Sequence, residues 1–181
     1  MKTINIVALS LALAAGAFAQ AGKRTENQQD RIAEGVKSGQ LTAGETSKLE
    51  REEARIHREA KADRAKNGGK LTPAEKKAIN RQQNAVSDQI YKDKHNAAAQ
   101  HYGNNEVDAR RADQQQRIAN GIASGTLKPG ETARLESKEA GINHEVKAER
   151  AANGGKLTPA ERRTVNKQQN AVSNQIYKDK H

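Results

Sequence analysis

Six basic residues have a spacing that could bind anions. Lys77, Arg81 and Lys92 fall on one side of a helix at 100° per residue, opposite Ile79, Val86 and Ile90. Arg163, Lys167 and Lys178 repeat that face 86 residues later. Ammonium and guanidinium groups arrayed this way attract phosphates or carboxylates, so nucleic acid, anionic lipid headgroups and acidic polymers are the partner classes. No aromatic residue interleaves with these charges, so base stacking is not expected and no specific nucleic acid is a predicted partner. Four glutamates, Glu45, Glu75, Glu131 and Glu161, each close a Gly-x-Leu-x-x-x-Glu segment and are the candidate metal ligands. His95 and His181 match each other at the same interval, whereas His57, His101 and His144 stand alone; no pair has the i, i+4 spacing that would hold zinc or copper. The chain has no cysteine nucleophile, nucleophile elbow, phosphate-binding loop or zinc-protease motif. A non-enzyme without a cofactor is the expectation.

Those residues are placed by turn punctuation. Asn67-Gly68-Gly69-Lys70-Leu71-Thr72-Pro73-Ala74-Glu75 returns as Asn153-Gly154-Gly155-Lys156-Leu157-Thr158-Pro159-Ala160-Glu161, with looser copies at residues 38–45 and 124–131. Glycine suits the left-handed residue that ends a helix. Thr42, Thr72 and Thr158 can cap the next helix, Pro73 and Pro159 fit its first position, and a glutamate three residues after the cap completes a capping box. Lys128 stands where the third copy should have threonine, which predicts the weakest of the four helix starts. Helices are therefore expected at about 26–38, 42–66, 73–94, 110–124, 129–152 and 159–180. No segment alternates with period two, so strands are not expected.

The larger plan is a duplication. Residues 28–95 align with 114–181 without a gap, and between Leu71–His95 and Leu157–His181, 19 of 25 positions are identical. The expected fold is all-α, two tandem repeats of a three-helix unit: residues 20–95, a linker at 96–107 with a turn at Tyr102-Gly103-Asn104-Asn105, and residues 108–181. The apolar stripes are narrow: Ile32 and Val36, then Leu49, Ile56 and Ala60, then Ile79, Val86 and Ile90. The tyrosines are counted with this thin core. Gln28-Gln29, Gln82-Gln83, Gln114-Gln115 and Gln168-Gln169 sit at matched places and are read as structural interhelix hydrogen bonders. Two thin units of this kind could need each other or a second copy, so a homo-oligomer is a possible state.

Composition gives the address. Residues 1–19 read as a cleaved signal peptide: Lys2, an apolar run from Ile4 to Ala15, and the small-residue motif Ala17-Phe18-Ala19. The expected product is periplasmic or secreted from a bacterium, without a transmembrane anchor. It is basic, with 32 Lys and Arg against 22 Asp and Glu, and it has no cysteine and no tryptophan.

Two resemblances follow from the turn segments. Gly69, Leu71 and Glu75 are similar to the sixth, eighth and twelfth positions of an EF-hand loop, which implies calcium binding at Glu75 and its equivalents. The first, third and fifth positions hold Arg64, Lys66 and Gly68 rather than oxygen donors, a ligand deficit that favours capping. Leu71-Thr72-Pro73-Ala74-Glu75, Leu157-Thr158-Pro159-Ala160-Glu161 and Leu41-Thr42-Ala43-Gly44-Glu45 resemble the LTxxQ motif of Spy/CpxP periplasmic chaperones, with glutamate in place of the glutamine. That resemblance implies an exported, all-helical, ATP-independent chaperone or envelope-stress regulator whose partners are unfolded client proteins. The functional expectation is an exported non-enzymatic helical binding or chaperone-like protein of the cell envelope. The alternatives are a divalent-metal binder and a structural protein that binds anionic envelope polymers.

Overall fold

The computed structural model describes residues 12–181, with side chains from residue 22 onward. The expected export segment and its cleavage motif fall outside the described side chains. Six helices make up the fold, with no strand among the described residues: α1 (Ala12–Ser38), α2 (Ala43–Lys66), α3 (Pro73–Lys94), α4 (Glu106–Ala123), α5 (Pro129–Ala152) and α6 (Pro159–Lys180).

Local chemistry sets the helix ends. Thr42, Thr72 and Thr158 each accept the amide of the residue three positions on, at 3.3 Å. The glutamates answer from Oε2 to the cap amide at 2.9, 2.7 and 2.7 Å. At α5 only this return bond forms, Lys128 N–H donating to Glu131 at 2.9 Å, because an ammonium cannot accept. The chain leaves α1 through Gly39 at φ 75°, where a left-handed residue is needed and only glycine enters without strain. Leu41 then folds back on the end of α1, its amide bonded to Gly35 O at 3.0 Å. A Cβ on Gly35 would lie 2.6 Å from Leu41 Cγ, so the close approach requires glycine there too.

Two expected starts move. α4 begins at Glu106 rather than near 110, because Asn105 is its N-cap, accepting the Asp108 amide at 3.2 Å. The expected linker therefore gives up its last two residues to the helix. α1 begins at Ala12 rather than near 26.

Four helices form a ring in the order α1–α2–α5–α4, with α2 against α5 and α1 against α4 as the main contacts. α3 packs on α1 and α2, while α6 packs on α4 and α5. The outer helices α3 and α6 do not touch each other and lie on opposite sides of the ring. All the stripe residues expected to be apolar core are buried, among them Ile32, Leu49, Ile56, Val86 and Ile90. Glutamine clamps tie the outer helices on. Gln28 Nε2 donates to Gln83 O at 2.7 Å and to Ser87 Oγ at 2.9 Å; Gln114 repeats this with Gln169 O at 2.7 Å and Ser173 Oγ at 3.0 Å. The 95–105 connection is strapped to the α1–α2 turn by Gln100 N–H donating to Gly39 O at 2.8 Å.

Candidate functional site

α3 and α6 turn their apolar stripes inward, so the residues about half a turn away must face solvent. Lys77, Arg81 and Lys92 are exposed on α3, and Arg163, Lys167 and Lys178 on α6. None of the six takes part in an ion pair among the described residues. Other cations are engaged. Lys94 pairs with Glu34 at 2.8 Å, Arg150 and Arg111 with Asp108 at 3.1 and 3.3 Å, and Arg110 with Glu106 at 3.5 Å. The expected cationic residues are thus among those the fold does not use for its own ion pairs.

One expectation about these faces is corrected. Tyr91 and Tyr177 are not core residues; each is 61% exposed, directly beside Lys92 and Lys178. The reason is register. Each tyrosine follows the last buried isoleucine of its helix, Ile90 or Ile176, and so points about 100° away from the core. His95 stacks on Tyr91 with ring centroids 4.2 Å apart, and His181 meets Tyr177 edge-on at 4.5 Å. Aromatic surface therefore does border the cationic faces, at the C-terminal end of each outer helix.

The four candidate metal ligands are spread over four turns and occupied by local bonds. Besides their cap amides, Glu75 and Glu161 each accept both oxygens' bonds from one asparagine amide, Asn67 or Asn153, at 2.9 Å. Glu45 accepts Asn96 Nδ2 at 2.6 Å. The cap amide foremost, with the threonine and asparagine, holds the Glu75 and Glu161 carboxyls below the ordinary glutamate range. Among the described residues no three His, Asp or Glu side chains are placed to hold a metal ion.

A second group escaped the sequence reading. Glu50 and Glu53 on α2, and Glu136 and Glu139 on α5, are buried, at 0, 2, 0 and 0% exposure. The seam they share is narrow. Ser47 Oγ donates to Ala133 O at 2.9 Å, and a Cβ at Gly130 would sit 3.9 Å from Ala54. Seven residues forward on α2 thus meets three residues back on α5, so the helices run antiparallel. Gln29 Nε2 donates to Glu50 at 3.3 Å and Gln115 Nε2 to Glu136 at 2.9 Å. The second oxygens of Glu50 and Glu136, Oε1 of Glu53 and both oxygens of Glu139 have no hydrogen-bond partner among the described residues. Burial pushes Glu50 and Glu136 up to about 8, against the pull of their glutamines and with added repulsion from neighbouring carboxyls. Burial likewise pushes Glu53 and Glu139 up to about 7, Arg111 opposing it at Glu139. Protonated below these raised values, such groups are tolerable in a dry seam where carboxylates would not be. The available signal was the repeat: Leu-Glu-x-x-Glu is kept in both copies, while Arg51 and Glu52 between the glutamates become Ser137 and Lys138.

No family model, curated protein or solved structure matches the chain.

Proposed function

We propose that this chain is an exported, non-catalytic binding protein of the bacterial cell envelope that engages anionic polymers through the outward faces of α3 and α6. The observation that carries the reading is the set of unpaired, exposed cations Lys77, Arg81, Lys92, Arg163, Lys167 and Lys178, doubled on opposite sides of one bundle. A single molecule then offers two equivalent cationic faces, and a polymer engaged by both gains from the second contact being intramolecular or bridging. The cations are sparse. Lys77 to Lys92 spans about 22 Å at 1.5 Å per residue, far below the charge density of duplex DNA, which carries a phosphate per roughly 1.7 Å. An acidic polysaccharide with separated carboxylates or sulfates suits that spacing better.

Heparin is the practical probe. The full chain should bind it, elute only at raised salt, and lose binding when all six cations become glutamate. Unchanged elution of that variant refutes the proposal. A chaperone-like activity is the second reading, favoured by the exposed Tyr91 and Tyr177 as apolar contacts next to charge. It predicts suppression of client aggregation without ATP, weakened by replacing both tyrosines with serine.

A further inference from the structure

The α2–α5 seam is one of two main joins between the halves of the chain, the other being α1 against α4. Small residues meet across it, Ser47 with Ala133 and Ala54 with Gly130. Glu50 and Glu53 stand one turn apart on α2, and Glu136 and Glu139 do so on α5, so each pair lies on one side of its helix. The groups facing the four carboxyls come from every neighbouring element. Across α2–α5 Glu50 acts on Glu136, and along each helix Glu53 acts on Glu50 and Glu139 on Glu136; α4 gives Arg111 and the neutral Gln115, α1 gives the neutral Gln29, and the 95–105 connection gives Tyr102. Arg111 is itself shared with Asp108 and Gln100, and its place in the first half is taken by Thr25. Four ionised carboxylates would thus face one partly committed guanidinium.

Inside each half the polar bonds are of another kind. Gln28 to Gln83 and Ser87, Gln82 to Glu59 at 2.9 Å, and their equivalents Gln114 and Gln168 tie helices within a half and do not involve the seam carboxyls. Ionisation therefore strikes the α2–α5 joint, together with the bonds that Glu50 and Glu136 accept from Gln29 and Gln115, and spares the clamps made by Gln28, Gln82, Gln114 and Gln168.

We infer that the α2–α5 seam is a proton-gated joint: protonated glutamates let α2 close on α5, and loss of those protons parts the two while the α1–α4 contact and the six helices persist. Burial sets the working range, since the four groups are raised from 4.5 to about 7 or 8. Closure belongs to the acid side of that range and parting to the alkaline side. The inference does not depend on what the cationic faces bind.

The chain has no cysteine, so labels can be placed cleanly. Lys48→Cys and Arg134→Cys, at exposed positions next to the Ser47–Ala133 contact, carry a pair of spin labels or dyes on the full chain. The inter-label distance should be short and constant near pH 5. It should lengthen with a midpoint between about pH 7 and 8, with helical circular dichroism unchanged. The same labels on Glu50→Gln/Glu136→Gln should stay at the short distance up to pH 9. A distance that does not change with pH, a change that coincides with helix loss, or a double variant that opens like the parent each overturns the inference.

Discussion

Replacing Glu136 with glutamine should stabilise the protein at pH 8 and leave it nearly unchanged at pH 5. Glutamine keeps the shape and can accept the same bond from Gln115, but it cannot ionise. In the folded chain burial raises Glu136 from 4.5 to about 8, against Gln115 and with help from Glu139 and Glu50. A folded value above the unfolded one means that the folded state holds the proton longer. The contribution to stability is therefore whole below about pH 4.5 and is lost as pH rises toward 8. At about 1.4 kcal/mol per pH unit the full span is about 5 kcal/mol. Relief of the neighbouring carboxyls and relaxation of the seam leave on the order of 2–4 kcal/mol to be recovered by the substitution. For a chain of this size that is roughly 5–15 °C in Tm. Thermal melts of parent and variant at pH 5, 6, 7 and 8 are the assay. The parent Tm should fall across the series and the variant's should fall less. The sign is decisive, because a chain of net charge +10 would otherwise gain stability as rising pH eases its self-repulsion. A variant less stable than the parent at pH 8, or equally shifted at pH 5 and pH 8, refutes the reasoning.

Three other perturbations test separate parts of the structure. Lys128→Thr should supply the missing cap acceptor of α5 and raise stability by about 0.5–1.5 kcal/mol in urea unfolding, whereas Lys138→Thr on the exposed face of the same helix should not. Gly141→Ala, at a helical site with nothing within 4 Å, should stabilise by about 0.5–1 kcal/mol. Gly121→Ala places a Cβ 2.6 Å from Leu127, which is 2% exposed and cannot swing aside, and should destabilise by about 1–2 kcal/mol; equal shifts in the two alanine variants would contradict the packing. Converting Arg163, Lys167 and Lys178 to glutamine should lower heparin affinity and reduce the slope of log K against log salt by about 2–3. Loss of affinity with an unchanged slope would mean that these cations do not touch the polymer.

The turns were legible because their chemistry is local. Glycine, leucine, threonine and glutamate within nine residues state where one helix stops and the next starts, and α2, α3, α5 and α6 begin and end within a residue of the expected limits. The missed start of α4 is equally local: Asn105 and Asp108 have the spacing of a cap, but the turn reading takes in Asn105 and leaves Asp108 outside it. The tyrosines were misplaced by residue type, although Tyr91 following Ile90 already put it off the stripe. The buried glutamates are a different case. Periodicity tells which side of a helix faces its own neighbours, and Glu50 and Glu53 read as ordinary members of a charged helix. What buries them is packing against helices distant in sequence, and no local pattern announces that.

The duplication itself explains why acids end up inside and bases outside. Across the α2–α5 seam a residue can lie near its own sequence equivalent, as Ser47 meets Ala133. Any charge on such a seam therefore faces a like charge, and it can be kept there only by losing it. A carboxyl can do this at moderate pH by holding a proton. A lysine would have to give one up against a much higher ordinary value, and an arginine cannot. Glutamate is thus the charge-bearing residue that a self-facing seam tolerates, as at Glu50 and Glu136. The same duplication sends α3 and α6 to opposite sides, where doubled cations stay solvated and are separated by the whole bundle. The proposed proton-gated joint and the two proposed anion-binding faces would then follow from one arrangement. A variant that separates the halves at neutral pH should change how the two faces cooperate on one polymer, and leave the affinity of either face alone unaltered.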